Sequence, residues 1–289
     1  MKAKLAVSVC IILMTIMLFI PYTYAADNNV GIEVTFNKSS YVTGETASAT
    51  ITLTGLNDEK TDGIKLGAFE THLNFDNSKL EYISGGYNDS LSEKLTSANT
   101  EKGFQVTEKF NNVIVAFFNC PDGVALSDVD ANGNLIIGTA SFKVKASKGD
   151  TIETSFDIAY TNVVTKPFGT ADKGESLNCT AGEKATAKIV DGVIEAPTAV
   201  FDNNTVSGSV NVRLPESESG VLFAVLRDKT SGLVKKSKIQ TIDSSNTINV
   251  SFEGITNSSN LKIDYYLWKS FFSMKAIAEN VSAEVTTGN

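Results

Sequence analysis

The sequence predicts an all-β protein built as two consecutive β-sandwiches. Apolar residues recur at every second position rather than with helical period, as in Ile32-Glu33-Val34-Thr35-Phe36, Ala49-Thr50-Ile51-Thr52-Leu53 and Phe69-Glu70-Thr71-His72-Leu73-Asn74-Phe75. β-Branched and aromatic side chains fill these runs, and clusters of Gly, Asn, Asp and Ser separate them. No long amphipathic helix is present to cover a sheet, so the core has to form between sheets.

Taken in chain order, the first segment reads as an export signal. Lys2 and Lys4 precede an apolar run from Leu5 to Ile20, Pro21 breaks it, and Thr23-Tyr24-Ala25 supplies small residues at −3 and −1. Cleavage after Ala25 is expected, giving a signal peptide over 1–25 and a secreted product. No second apolar stretch of spanning length follows, so no membrane insertion is expected after cleavage. Further strands are expected at Val113-Ile114-Val115-Ala116-Phe117-Phe118 and Ala140-Ser141-Phe142-Lys143-Val144. One short helix is expected around Asp89 to Ala98, in a crossover. A boundary falls near Val193 to Asn204, where Ala196-Pro197-Thr198 reads as a linker because proline has no ladder donor. The expected organisation is one domain over 26–195, a linker over 196–204 and a second domain over 205–289. Strands of the second are expected at Val206–Val212, Val221–Arg227, Ile248–Phe252 and Leu261–Trp268. They form a smaller sandwich of immunoglobulin or fibronectin type.

Charge narrows the partners. Signal cleavage removes Lys2 and Lys4 and takes the net charge from −8 to about −10. That disfavours nucleic acid and anionic membrane surfaces, which need cationic contacts. Two cysteines remain. An oxidising compartment permits a Cys120–Cys179 bridge, and Cys120 reads equally well as a buried thiol. His72 is the sole histidine, with no nucleophile elbow beside it and too few His and Cys for a zinc site. The chain therefore reads as a binding protein, with no enzymatic activity and no cofactor expected. Asp128-Val129-Asp130-Ala131-Asn132-Gly133-Asn134 copies the opening of a calcium loop and makes Asp128, Asp130 and Asn132 weak metal candidates. The twelfth position is Thr139, where a carboxylate should close the loop, so a hairpin turn is the better reading.

The stretch Gly67-Ala68-Phe69-Glu70-Thr71-His72-Leu73-Asn74-Phe75-Asp76-Asn77-Ser78-Lys79-Leu80-Glu81-Tyr82-Ile83 resembles the hallmark strand and turn of cohesin domains. Four later segments fall in the family's order: Val113 to Phe118, Gly133 to Lys145, Ser155-Phe156-Asp157, and Lys188 to Ile194. The resemblance spans about Val30 to Glu195. It implies a nine-stranded jelly-roll sandwich, a fold shared with carbohydrate-binding modules. It also implies a non-catalytic role: cohesins hold the dockerin domains of polysaccharide-degrading enzymes in cellulosomes on a flat sheet face. On strand alternation, Glu70, His72 and Asn74 form an outward polar stripe, and Val115 and Phe117 on the neighbouring strand are expected to add apolar contacts. Ala68 stands where one cohesin class carries asparagine. The alternative partner is a polysaccharide bound directly, and a third reading is a surface spacer without a ligand. In the second domain, Tyr266 to Ile277 is similar to a closing signature of small β-sandwich modules in secreted clostridial-type proteins, with Lys269 and Ala276 departing from it. Trp268, inside a strand-like run, is expected in the core.

Overall fold

The computed structural model describes residues 29–56, 65–95, 101–107, 112–118, 124–125, 130, 132–166, 176–257 and 259–287. The expected signal peptide lies outside the described residues. Among those described, no helix is long and apolar enough to cross a membrane.

The first sandwich begins with β1 (Asn29–Phe36), β2 (Ser40–Tyr41), β3 (Thr46–Thr54), β4 (Lys65–Phe75), β5 (Leu80–Tyr87) and a short helix, α1 (Asp89–Lys94). It continues with β6 (Glu101–Thr107), β7 (Asn112–Phe118), β8 (Val124–Ala125), β9 (Leu135–Val144) and β10 (Thr151–Phe156). A 3-10 turn (Ile158–Tyr160), β11 (Asn162–Lys166), β12 (Ser176–Ala181) and β13 (Ala185–Ile189) complete it. One layer runs β12–β1–β3–β9–β5. The other is centred on β4, which pairs with β10 and β11 along one edge and with β7 and β8 along the other. β12 joins the layers, pairing parallel with β1 and antiparallel with β11. The resemblance implied nine strands. The additional ones include the two-residue β2 and β8, where the chain briefly meets a sheet edge.

Alternation drives the packing. β3 buries Ala47, Ala49, Ile51 and Leu53, β4 buries Phe69 and Leu73, and β9 buries Ile137, Ala140 and Phe142, all in one cluster. After β4 the chain reverses at Asp76, whose Oδ1 accepts the Ser78 backbone N–H at 2.9 Å and its Oγ–H at 2.6 Å. These donors hold the Asp76 carboxyl below the usual carboxylate range. Asn88 caps α1 by accepting from Ser90 N. The helix falls where the sequence placed it, in the crossover after β5.

The linker expected over 196–204 is not a linker. β14 (Val193–Asp202) is one strand, paired with β15 (Thr205–Arg213) from Val193↔Arg213 to Asp202↔Thr205. The Ala196-Pro197 step is absorbed as a bulge, with Ala196 at φ 49° and the register shifting between Glu195 and Thr198. Proline is tolerated at such an irregularity because the ladder skips its missing donor. Ile194 and Ala199 sit in the second core, so the crossing between sandwiches shortens to Val190-Asp191-Gly192.

The second sandwich adds β16 (Gly220–Asp228), β17 (Val234–Ile242), β18 (Asn246–Glu253), β19 (Leu261–Trp268), β20 (Val281–Glu284) and β21 (Thr286–Thr287). Its layers run β18–β15–β14–β21 and β17–β16–β19–β20. The inner face of the second layer buries Leu222, Ala224, Leu226, Ile263, Tyr265 and Leu267. Trp268 alternates to the other side. It lies half-buried on the solvent face against Phe223, with centroids 4.1 Å apart. The expectation of a core tryptophan is thus corrected: residence in a strand fixes only parity, and Leu267 takes the inward position.

Candidate functional site

The outer face of the β4 layer is where the sequence placed its binding stripe. The register of β4 against β7 sets Glu70 beside Ala116, His72 beside Ile114 and Asn74 beside Asn112. On the other edge, Glu70 meets Asn162 of β11 and Asn74 meets Ser155 of β10. Glu70 and Asn74 are half-buried and reach this face.

Val115 and Phe117 do not. Both are fully buried, and their partners across the ladder are Thr71 and Phe69. Phe117 stacks on Phe69 at 5.8 Å inside the core. Cross-strand partners lie on the same side of a sheet, so residues opposite the inward set of β4 are themselves inward. The apolar contribution of β7 to the outer face comes instead from half-buried Ile114 and from Ala116. Ala116's carbonyl accepts a hydrogen bond from the Tyr87 hydroxyl.

His72 has outward parity, yet it is 6% exposed. The 3-10 turn after β10 folds over β4 and lays the Tyr160 ring flat on the imidazole, 4.7 Å between centroids and 3° between planes. Asp157 fixes that turn. Its backbone N–H donates to His72 O at 3.1 Å, and its side chain accepts from Ala159 N. In the sheet plane, Glu70 Oε1 lies 3.4 Å from His72 Nε2 and Asn112 Nδ2 lies 3.4 Å from His72 Nδ1. His72 is therefore the floor of the site and Tyr160, 53% exposed, is its surface. Beneath the sheet, Thr71 and Thr161 pair their hydroxyls at 2.9 Å, which satisfies two buried polar groups.

Asn112 was not singled out from the sequence. It is 6% exposed, and its buried Oδ1 has no hydrogen-bond partner among the described residues. A buried acceptor left unpaired costs about 1–3 kcal/mol. The sequence signal for the covering turn was Asp157 ahead of Ile-Ala-Tyr, a capping residue before a short apolar-aromatic turn.

The other sequence candidates lie elsewhere. Asp130 and Asn132 form a turn: Asp130 Oδ1 accepts Asn132 N at 2.8 Å and Asn134 N at 3.0 Å, and Gly133 adopts φ 79°. Those donors hold the Asp130 carboxyl below its ordinary range. The turn leads into β9 rather than joining two paired strands, because β8 pairs with β4. Asp128 lies outside the described residues. Among the described residues, no group of three His, Cys, Asp or Glu side chains could hold a metal ion. Cys179 is a free thiol on β12, pushed up to about 11 by burial. Cys120, considered as its bridge partner, lies outside the described residues.

No protein-family model matches the chain, and no curated protein matches it. Among solved structures, it is similar to the seventh ScaB type I cohesin from Pseudobacteroides cellulosolvens, at 12% identity and TM-score 0.39, over 55% of this chain and 91% of that one. A type I cohesin–dockerin complex from Clostridium thermocellum is similar at 11% identity and TM-score 0.40, over 58% and 97%. The type II cohesin dyad from the adaptor ScaA scaffoldin of Acetivibrio cellulolyticus is similar at 11% and 0.38, over 90% and 97%. At these identities and TM-scores, the reading of the site rests on its own residues.

Proposed function

We propose that this chain is an exported, non-catalytic docking protein whose first sandwich receives a dockerin-type protein domain on the outer face of the β4 layer. The observation that carries the reading is the outward polar row of half-buried Glu70 and Asn74 on β4, beside the exposed Tyr160 ring that covers His72. A partner presenting N–H or hydroxyl donors would engage the Glu70 carboxylate and the Asn74 side-chain carbonyl. Ile114 and the exposed face of Tyr160 supply apolar area around this polar centre, the composition of an interface with a few specific hydrogen bonds. The cohesin-like order of the sequence motifs supports the choice of a dockerin, and the expected signal peptide supports a partner met outside the cell. Polysaccharide degradation is the context such a partner implies.

Calorimetric titration of the mature protein with a panel of dockerins, with and without chelator, tests this. The expected outcome is calcium-dependent binding, since dockerins of this kind need their own calcium to fold. Glu70→Ala is expected to weaken it at least about tenfold, a hydrogen bond to a charged group being worth about 1.5–3 kcal/mol. Retention on cellulose or xylan without any dockerin binding would sink the reading. Unchanged affinity in Glu70→Ala would move the site off this face.

A further inference from the structure

The chain's sole histidine, His72, sits beneath the outer face of the β4 layer, in direct line with the carboxylate offered there. Histidine is the side chain that ordinarily changes charge between about pH 5 and 8. Its surroundings are sparse in charge. Glu70, two residues earlier on the same strand, brings Oε1 to 3.4 Å from Nε2. The covering turn contributes Tyr160, flat on the ring, and Asp157, whose Oδ1 is taken up by Ala159 N at 3.1 Å. β7 presents Asn112 and Ile114, β10 presents Ser155 and β11 presents Asn162, none of them charged. Among the described residues, the ion pair of Glu70 is with His72 alone.

These contacts place the hydrogen of the neutral ring. An amide nitrogen donates and does not accept. Nδ1, 3.4 Å from Asn112 Nδ2, is therefore the acceptor, and Nε2 carries its hydrogen toward Glu70. A second proton has to go to Nδ1, where it meets the Asn112 N–H. Turning the Asn112 amide over removes that conflict, and its Oδ1 gives up no partner among the described residues in doing so. The charged ring then faces the carboxylate at Nε2, a charge-assisted pair whose side chains are 7% and 22% exposed. It also lies 4.7 Å from the Tyr160 ring, within cation–π range. We infer, on the docking reading above, that His72 is a proton switch under the docking face. Neutral, it leaves the Glu70 charge to the partner. Protonated, it neutralises Glu70 and holds Tyr160 down, so docking weakens as pH falls through the histidine range. A phenylalanine would serve as a floor for Tyr160, but only an imidazole adds the proton link to Glu70.

Calorimetric titration with a dockerin at pH 7.5 and 5.5 tests this, since ordinary carboxylates stay ionised at both values. Binding is expected to be about tenfold weaker at the lower pH, the scale of one hydrogen bond to a charged group. His72→Phe keeps a flat ring under Tyr160 with no proton to gain, and its affinity is expected to be the same at both values. Glu70→Gln, at a half-buried surface position, removes the other half of the couple and is expected to bind weakly and equally at both. A fall in affinity that persists undiminished in the two variants would overturn the inference. The free protein gives a readout that needs no partner. The side-chain NH2 resonances of Asn112 are expected to shift between the two pH values in the wild type and to stay in place in His72→Phe. Static Asn112 resonances in the wild type would overturn the inference whether or not any dockerin binds. No dockerin binding at either pH, with the Asn112 shift present, would count against the docking reading alone and in favour of the His72 couple.

Discussion

Glu70 and Phe117 are separated by one position of alternation, and that position decides between surface and core. Glu70 lies half-buried on the outer face, while Phe117 is fully buried on Phe69. Phe117→Ala is therefore expected to cost about 3–5 kcal/mol of stability, read by urea unfolding. Glu70→Ala is expected to leave the midpoint nearly unchanged while weakening the partner. The reverse pattern would mean the β7 register is off by one residue. The inward set Phe69, Thr71 and Leu73 was legible in the sequence, because strict alternation in β4 leaves only one apolar face. The face of β7 was not. Val113-Ile114-Val115-Ala116-Phe117-Phe118 is apolar at every position, so only pairing with β4 assigns its two sides. His72 shows the same limit from another cause: a turn more than eighty residues later supplies the ring that covers it.

At the scale of elements, β14 and β17 escaped the sequence for opposite reasons. In β14 a proline interrupted the pattern, and the strand survives by bulging at Ala196. β17, reading Val-Lys-Lys-Ser-Lys-Ile-Gln-Thr-Ile, is exposed along eight of its nine positions. It is an edge strand, so its alternation has no burial to follow, and its lysines discourage a further strand from adding there. The layers approach each other closely at Gly208 of β15. A Cβ there would lie 2.6 Å from Ile263 Cδ1 and 2.7 Å from Thr198 O, and would also meet the Tyr265 hydroxyl. That hydroxyl donates to Thr198 O at 3.2 Å, so the glycine makes room for the bond tying β19 to β14. Gly208→Ala is expected to destabilise the second sandwich by about 1–3 kcal/mol through overpacking, measured by thermal unfolding. An unchanged melting temperature would show that the layers can part without cost.

Across the whole molecule, the two sandwiches are clamped by one arginine. Arg213 of β15 donates from Nη1 to both oxygens of Glu45, at 2.9 and 2.7 Å, and its Nε lies 3.2 Å from Glu195 Oε1. Glu45 also accepts from Lys38 Nζ at 2.8 Å and from Val42 N–H at 2.9 Å. Glu216 N–H donates to Thr43 O, and Glu216 pairs with Lys143, so the contact has a second point. Burial opposes ionisation of Glu45, but Lys38, Arg213 and the Val42 amide outweigh it and lower its pKa. A carboxylate lowered in the folded state contributes stability that is complete above its unfolded pKa. That contribution is lost as pH falls through the folded value. Arg213→Met is expected to cost about 2 kcal/mol and to split one calorimetric transition into two. The wild-type protein should show the same splitting on acidification below the ordinary glutamate range. A single unaltered transition in the variant would mean that the three-residue crossing holds the pair without the clamp.

The sequence by itself determined the class: strands from period two, sandwiches from the lack of a covering helix, and the inward face of β4 from its alternation. Those properties are local, set by side-chain parity and backbone preference within a few residues. Tertiary structure decided which side of an all-apolar strand faces out, that Tyr160 covers His72, that Asn112 is buried beside them, and that Trp268 faces solvent. Each depends on a neighbour distant in sequence, and local pattern carries no record of which strand will lie alongside.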